Sequence, residues 1–93
     1  MKKTGAIELA KALNLPKSRA AEAIVKAELI TAVIDEVKRQ GITHAALAKR
    51  ADLSRSTVTG ILNGSLQKVT IDRILRLVDA AGLEARIRVR RAA

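Results

Sequence analysis

The chain contains no phenylalanine, tyrosine, tryptophan or cysteine in its 93 residues. Whatever it folds into must therefore be held together by Leu, Ile, Val and Ala. Such an interior is filled by many small branched side chains instead of a few large rings, which favours closely packed helices. Apolar residues make up 48% of the sequence, enough for one modest core at this length and too little for a second. The missing cysteines also remove disulfides, thiolate metal sites and thiol nucleophiles from consideration.

Charge narrows the range of partners. Eighteen Lys and Arg stand against nine Asp and Glu, a net charge of +9, which favours attraction to a polyanion, the alternative being a charge that only keeps the protein soluble. The lysine pair at the start is reminiscent of a secretory leader, but Glu8, Lys11, Lys17 and Arg19 interrupt every apolar run. No secretory h-region or membrane span is expected, and a cytoplasmic location follows as the default. One histidine, without cysteine partners, is a poor metal site. No carboxylate pair or phosphate loop has the spacing an active site needs, so neither an enzyme nor a cofactor is expected.

Periodicity and punctuation divide the chain. Residues 7–14 suit a short helix, which Leu15-Pro16 breaks. From about Ser18 or Arg19 to Gln40 there is neither Gly nor Pro, and Ile30, Val33, Ile34 and Val37 recur at helical spacing, with Gly41 suited to a left-handed cap. A short helix HAALAKRA follows Thr43, then the break Asp52-Leu53-Ser54, then a second short helix over about 55–62 whose first turn Ser54 can cap. Asn63-Gly64 ends it. After the loop SLQKV, Thr70 is placed to cap a helix over 71–81 with Asp72 at its positive end and Ile71, Ile74, Leu75 and Val78 as its apolar stripe. Beyond Gly82 the period changes to two: Leu83, Ala85, Ile87 and Val89 alternate with Glu84, Arg86, Arg88 and Arg90, the pattern of a half-buried strand. No other segment offers it a partner. Pairing of two copies across a two-fold axis is one reading, and a frayed basic tail is the other.

The stretch THAALAKRADLSRSTVTGILNG, residues 43–64, carries the functional information. Two short helices can cross steeply only if a small residue lies where their axes approach. Ala48 sits there, and Leu53, Val58 and Ile61 supply an apolar wedge. With Thr43, Asn63 and Gly64 in register as well, this segment resembles the helix-turn-helix of the lambda-repressor/Cro (XRE) family. Two positions depart from the family pattern. His44 stands where relatives usually carry Gln, and Asp52 stands where the turn usually has Gly. Asp tolerates the left-handed region better than most residues. The family Gln braces the recognition helix and meets a phosphate, and His44 can do either through a ring nitrogen.

The resemblance implies an all-α, lambda-repressor-like bundle of about five helices with a short C-terminal strand. It divides the chain into an N-terminal helical arm over 1–25, a DNA-binding domain over 26–82 with the motif at about 44–63, and a strand and basic tail over 83–93. The second helix of the pair would enter the major groove, with Arg55, Ser56 and Thr59 reading bases. An arginine can donate two parallel hydrogen bonds to guanine. Thr43, His44, Ser54, Thr57 and Asn63, at helix ends, would meet phosphates, joined by Lys68, while Lys49 and Arg50 can add charge. Gly60 falls where relatives often carry another reader, so the helix would read fewer bases or sit deeper in the groove.

The layout from residue 20 to about 90, with VTIDRILRLVDAAGLEARIRV closing it, is similar to small HigA-like antitoxin regulators. That similarity implies a homodimer through residues 83–90, an inverted-repeat operator in double-stranded DNA, and a RelE-like toxin as partner. A phage or housekeeping repressor without a toxin is the alternative. An RNA-binding module ranks below both, because no aromatic ring is present on which an unpaired base could stack.

Overall fold

The computed structural model describes residues 17–91. The short helix expected over 7–14 and most of the N-terminal arm lie outside them. Four helices follow in order: α1 Lys17–Gln40, α2 His44–Ala51, α3 Arg55–Leu62 and α4 Ile71–Ala80. Among the described residues there is no strand, and no helix is long and apolar enough to cross a membrane.

The start of each helix from α2 onward is fixed by a hydroxyl. The side chains of Thr43, Ser54 and Thr70 accept from the amides of Ala46, Thr57 and Arg73, each satisfying a donor that the first turn leaves free. The helix ends share one device. After α1 the Ile42 amide donates to the Val37 carbonyl at 3.0 Å and the Gly41 amide to Lys38 at 3.3 Å, the paired bonds of a Schellman motif. The same pair recurs after α2 (Leu53 to Ala48, Asp52 to Lys49), after α3 (Ser65 to Gly60, Gly64 to Ile61) and after α4 (Leu83 to Val78, Gly82 to Asp79). At three of these ends the left-handed residue is glycine. At the end of α2 it is Asp52, with φ 56 and ψ 48, the only described non-glycine residue with positive φ. The turn tolerates this departure as expected.

The core is aliphatic throughout. The buried apolar side chains are Ile30, Val33 and Val37 of α1, Leu47, Ala48 and Ala51 of α2, Val58 and Ile61 of α3, and Ile74, Leu77 and Val78 of α4, with Ala81 just beyond; all but Ile74 belong to one cluster. α1 packs against α4 and α3, and α2 packs against α3 and α4. Complete burial of a Leu or Ile side chain contributes about 1.5–3 kcal/mol, so Leu47, Ile61, Ile74 and Leu77, all essentially inaccessible, dominate the favourable side. One expectation needs correcting. The buried stripe of α4 runs through Ile74, Leu77, Val78 and Ala81, whereas Leu75 is exposed. α4 touches both α1 and α2, and the arc facing the pair is centred on the Leu77 side. On periodicity alone, either leucine can flank Ile74 and Val78.

Polar contacts tie the far ends together. The Gln40 amide donates to the Ala81 carbonyl at 3.0 Å and also to Glu36. Glu36 accepts from Arg39 as well, at 3.0 Å through Nε. These donors, Arg39 first and then Gln40, hold the Glu36 carboxyl down at about 2.

Residues 83–91 leave α4 with neither helix nor strand. Leu83 packs on the core, while Ile87 and Val89 are 83% and 91% exposed. A strand needs a neighbour to satisfy its amides, and among the described residues none pairs with this segment.

Candidate nucleic-acid interface

The α2–turn–α3 unit is built around small and branched residues. Ala48 is buried on α2, and Val58 and Ile61 are buried on α3, with half-buried Leu53 of the turn packed against them. Leu47, fully buried beside Ala48, completes this wedge. Sequence reasoning passed over it, although it is the only large apolar residue in HAALAKRA. The turn between the helices is three residues long and is locked by the Leu53 amide donating to Ala48 at 3.0 Å.

His44 provides a second lock. Its Nδ1 lies 2.9 Å from the Thr59 hydroxyl, across fifteen residues, joining the first turn of α2 to the middle of α3. This contact is the geometry that bracing the second helix needs, and it uses only one of the two ring nitrogens. The same contact engages the Thr59 hydroxyl within the protein, although a hydroxyl keeps further hydrogen-bonding capacity beyond one bond.

The first turn of α3 stands clear of the core. Ser54, Arg55 and Ser56 are exposed, and no hydrogen bond or ion pair among the described residues engages the Arg55 guanidinium. The Ser54 hydroxyl donates to the Thr57 hydroxyl at 2.7 Å and lies 3.3 Å from that of Ser56. This hydroxyl cluster pins half-buried Thr57. Neither α2 nor α3 has an acidic residue in its first turn, unlike α4 with Asp72. Their positive ends are thus left uncompensated, as suits an approaching anion.

The other residues singled out from sequence are distributed around this turn. Thr43 and Asn63 are exposed at the start of α2 and the end of α3, and Lys68 is exposed on the loop that follows. Lys49 is exposed on α2. Arg50 leans towards the end of α4, 3.5 Å from the Ala80 carbonyl, at the outer limit of a hydrogen bond. Between residues 43 and 68 lie four cations, Lys49, Arg50, Arg55 and Lys68, and a single carboxylate, Asp52. Gly60 faces open space: a Cβ built there meets nothing within 4 Å, and its φ is not positive. Nothing among the described residues requires glycine at that position.

Among the described residues no group of His, Asp and Glu could hold a metal ion. What the surface offers is a projecting helix start, hydrogen-bonded hydroxyls and exposed cations, a combination suited to binding an extended polyanion.

A family model described as a helix-turn-helix domain matches residues 11–90. No curated protein and no solved structure gives a match.

Proposed function

The chain belongs to the helix-turn-helix domain family, and from that premise we propose that it is a sequence-specific DNA-binding transcriptional regulator that acts as a repressor. The observation that carries this reading is the free first turn of α3. Arg55 and Ser56 project from a helix that α2 holds by an apolar wedge and by the His44–Thr59 bond. In this reading residues 26–82 are the DNA-binding domain, with α3 in the major groove. Arg55 and Ser56 read base edges, and Thr59 lends whatever capacity its bond to His44 leaves. Thr43, His44, Ser54, Thr57, Asn63 and Lys68 meet the sugar-phosphate backbone and set the register of docking.

Two copies pair through residues 83–90 in this account. The exposed alternation of Ile87 and Val89 with arginines supports the pairing, since association would cover the two apolar side chains and satisfy the strand amides. The recognition helices would then lie about 34 Å apart, matching half-sites one turn apart in an inverted repeat. The finer reading places the protein among autoregulating antitoxins with a RelE-like toxin partner. Its support is the order of a Thr-capped helix, Gly82 and an alternating tail.

Selection of bound duplexes from a random pool, followed by DNase footprinting, tests the proposal. It expects a two-fold symmetric site and, for about 6–10 neutralised phosphates, an affinity that falls about a thousandfold or more between 50 and 200 mM salt. Enrichment of no sequence would overturn it. Copurification of a basic ribonuclease-like protein encoded beside it would support the antitoxin reading, and a chain that represses with no such neighbour is a stand-alone repressor.

A further inference from the structure

Lys26 is the one charged or polar residue buried among the described residues, at 5% exposure. It lies on the N-terminal half of α1, one turn before Ile30 and on the same face as Ile30, Val33 and Val37, where the buried stripe of α1 ends. Its ammonium donates to the carbonyl of Leu66 at 3.2 Å and pairs with Glu22 Oε1 at 2.8 Å. Leu66 sits forty residues away, in the loop that connects α3 to α4. The same carbonyl accepts from the Val69 amide at 3.2 Å, and the Leu66 amide donates to Gly64 at 2.9 Å. Elsewhere the loop stands off from α1 across an open groove of about 670 Å³, bounded by Arg19, Glu22 and Ala23 on one side and residues 64–68 on the other.

Taking an ammonium out of water is costly, and an apolar side chain of the same length often fills such a place with no loss of stability. A buried, doubly engaged lysine is therefore better explained by what it fixes than by what it contributes to folding. The loop it fixes carries exposed Lys68 and Gln67, directly after the Asn63-Gly64 end of α3. A basic loop held in one conformation before docking loses less entropy on meeting a phosphate backbone than one that must be ordered at that moment.

We propose that Lys26 is a positioning residue for DNA binding: its bond to the Leu66 carbonyl latches the α3–α4 loop so that Lys68 is preorganised to contact a backbone phosphate. The inference rests on the DNA-binding reading above. Lys26 itself touches no DNA in it.

The test is a double-mutant cycle of K26M and K68A, with affinity for a selected duplex measured against salt and folding checked by circular dichroism. K26M keeps the apolar stem and removes the donor. Loss of one phosphate contact in each chain lowers the salt slope by about 0.9 per bound chain, which at 0.1 M salt is about an eightfold loss of affinity per chain and about sixtyfold for a two-fold dimer on its full site. K68A is expected to show that loss, K26M most of it, and the double variant no more than K68A alone. A folded K26M with wild-type affinity and slope overturns the latch, and so does a double variant whose loss is the product of the two single losses. If K68A binds as the wild type does while R55A does not, the latch falls and the DNA-binding reading stands. If the wild-type chain binds no duplex, that reading itself falls. Should K26M fail to fold, backbone order parameters of the free wild-type protein decide: values near 0.85 for residues 65–68 support the latch, and values below about 0.6 overturn it.

Discussion

Asp52 allows the turn between α2 and α3 to be tested with a worked magnitude. It holds φ 56 and ψ 48, donates its amide to Lys49 at 3.3 Å, and is exposed, so its substitution disturbs backbone conformation and little else. A left-handed conformation costs an ordinary L-residue about 1–2 kcal/mol, Asp somewhat less, and glycine nothing. D52G removes about 1 kcal/mol of strain but gives the unfolded chain extra freedom worth about 0.4–1 kcal/mol. The net expectation lies between no change and a gain of about 0.6 kcal/mol, a rise of up to roughly 5 °C in Tm for a domain of this size. D52V meets the full steric penalty with a β-branched side chain and should lose at least about 1 kcal/mol, a fall of roughly 4–8 °C. Thermal melts followed by circular dichroism at low protein concentration read both. If D52V melts with the wild type, or D52G melts below it, residue 52 is not left-handed and the crossing of α2 and α3 has been misjudged.

Four further outcomes follow from the same structure. G60A should raise stability by about 0.5–1 kcal/mol, because glycine within a helix is costly and the added methyl meets nothing. It should weaken duplex binding, and a tighter complex would show that α3 does not approach DNA along Gly60. S54A removes the hydroxyl that accepts the Thr57 amide at 3.1 Å and should cost about 1 kcal/mol in urea denaturation. An unchanged midpoint would remove Ser54 from the cap. H44A breaks the bond to Thr59 and should destabilise by about 1 kcal/mol, with H44Q closer to wild type; equal losses in the two variants would mean that the bond contributes nothing. Glu36, held at about 2 by Arg39 and Gln40 against an ordinary 4.5, favours the folded state above the higher value. That contribution fades as pH drops from about 4.5 towards 2. The Tm of E36Q should therefore depend less on pH across this window than that of the wild type, and parallel curves would contradict the assignment.

Local punctuation made much of this fold legible in the sequence. The limits of α2 and α3 follow from Thr43, Ser54 and Asn63-Gly64, and those of α4 from Thr70 and Gly82, because caps and left-handed residues act within one turn of where they are written. Leu75 reads as a core residue in the sequence, because a 3.6-residue period leaves the flank of a stripe undecided until two neighbouring helices choose it. Lys26 could not be read at all, since its partner is a backbone carbonyl forty residues away and carries no side-chain signal. For His44 the sequence left two roles open, and the Thr59 hydroxyl at 2.9 Å is the feature that favours bracing. The alternation over residues 83–90 is plain in the sequence, but strand formation there depends on a neighbour, and none of the described residues supplies one.

The energy of binding to each single-base variant of a selected duplex, measured for the wild type and for R55A, tests most directly whether α3 reads DNA. The expected result is that R55A loses about 1–3 kcal/mol of discrimination at one guanine-containing pair per half-site and keeps its preferences at the others. A wild-type profile that is flat across all positions, or an R55A profile that is uniformly weakened with its shape intact, would mean that the exposed guanidinium at the start of α3 is not reading a base.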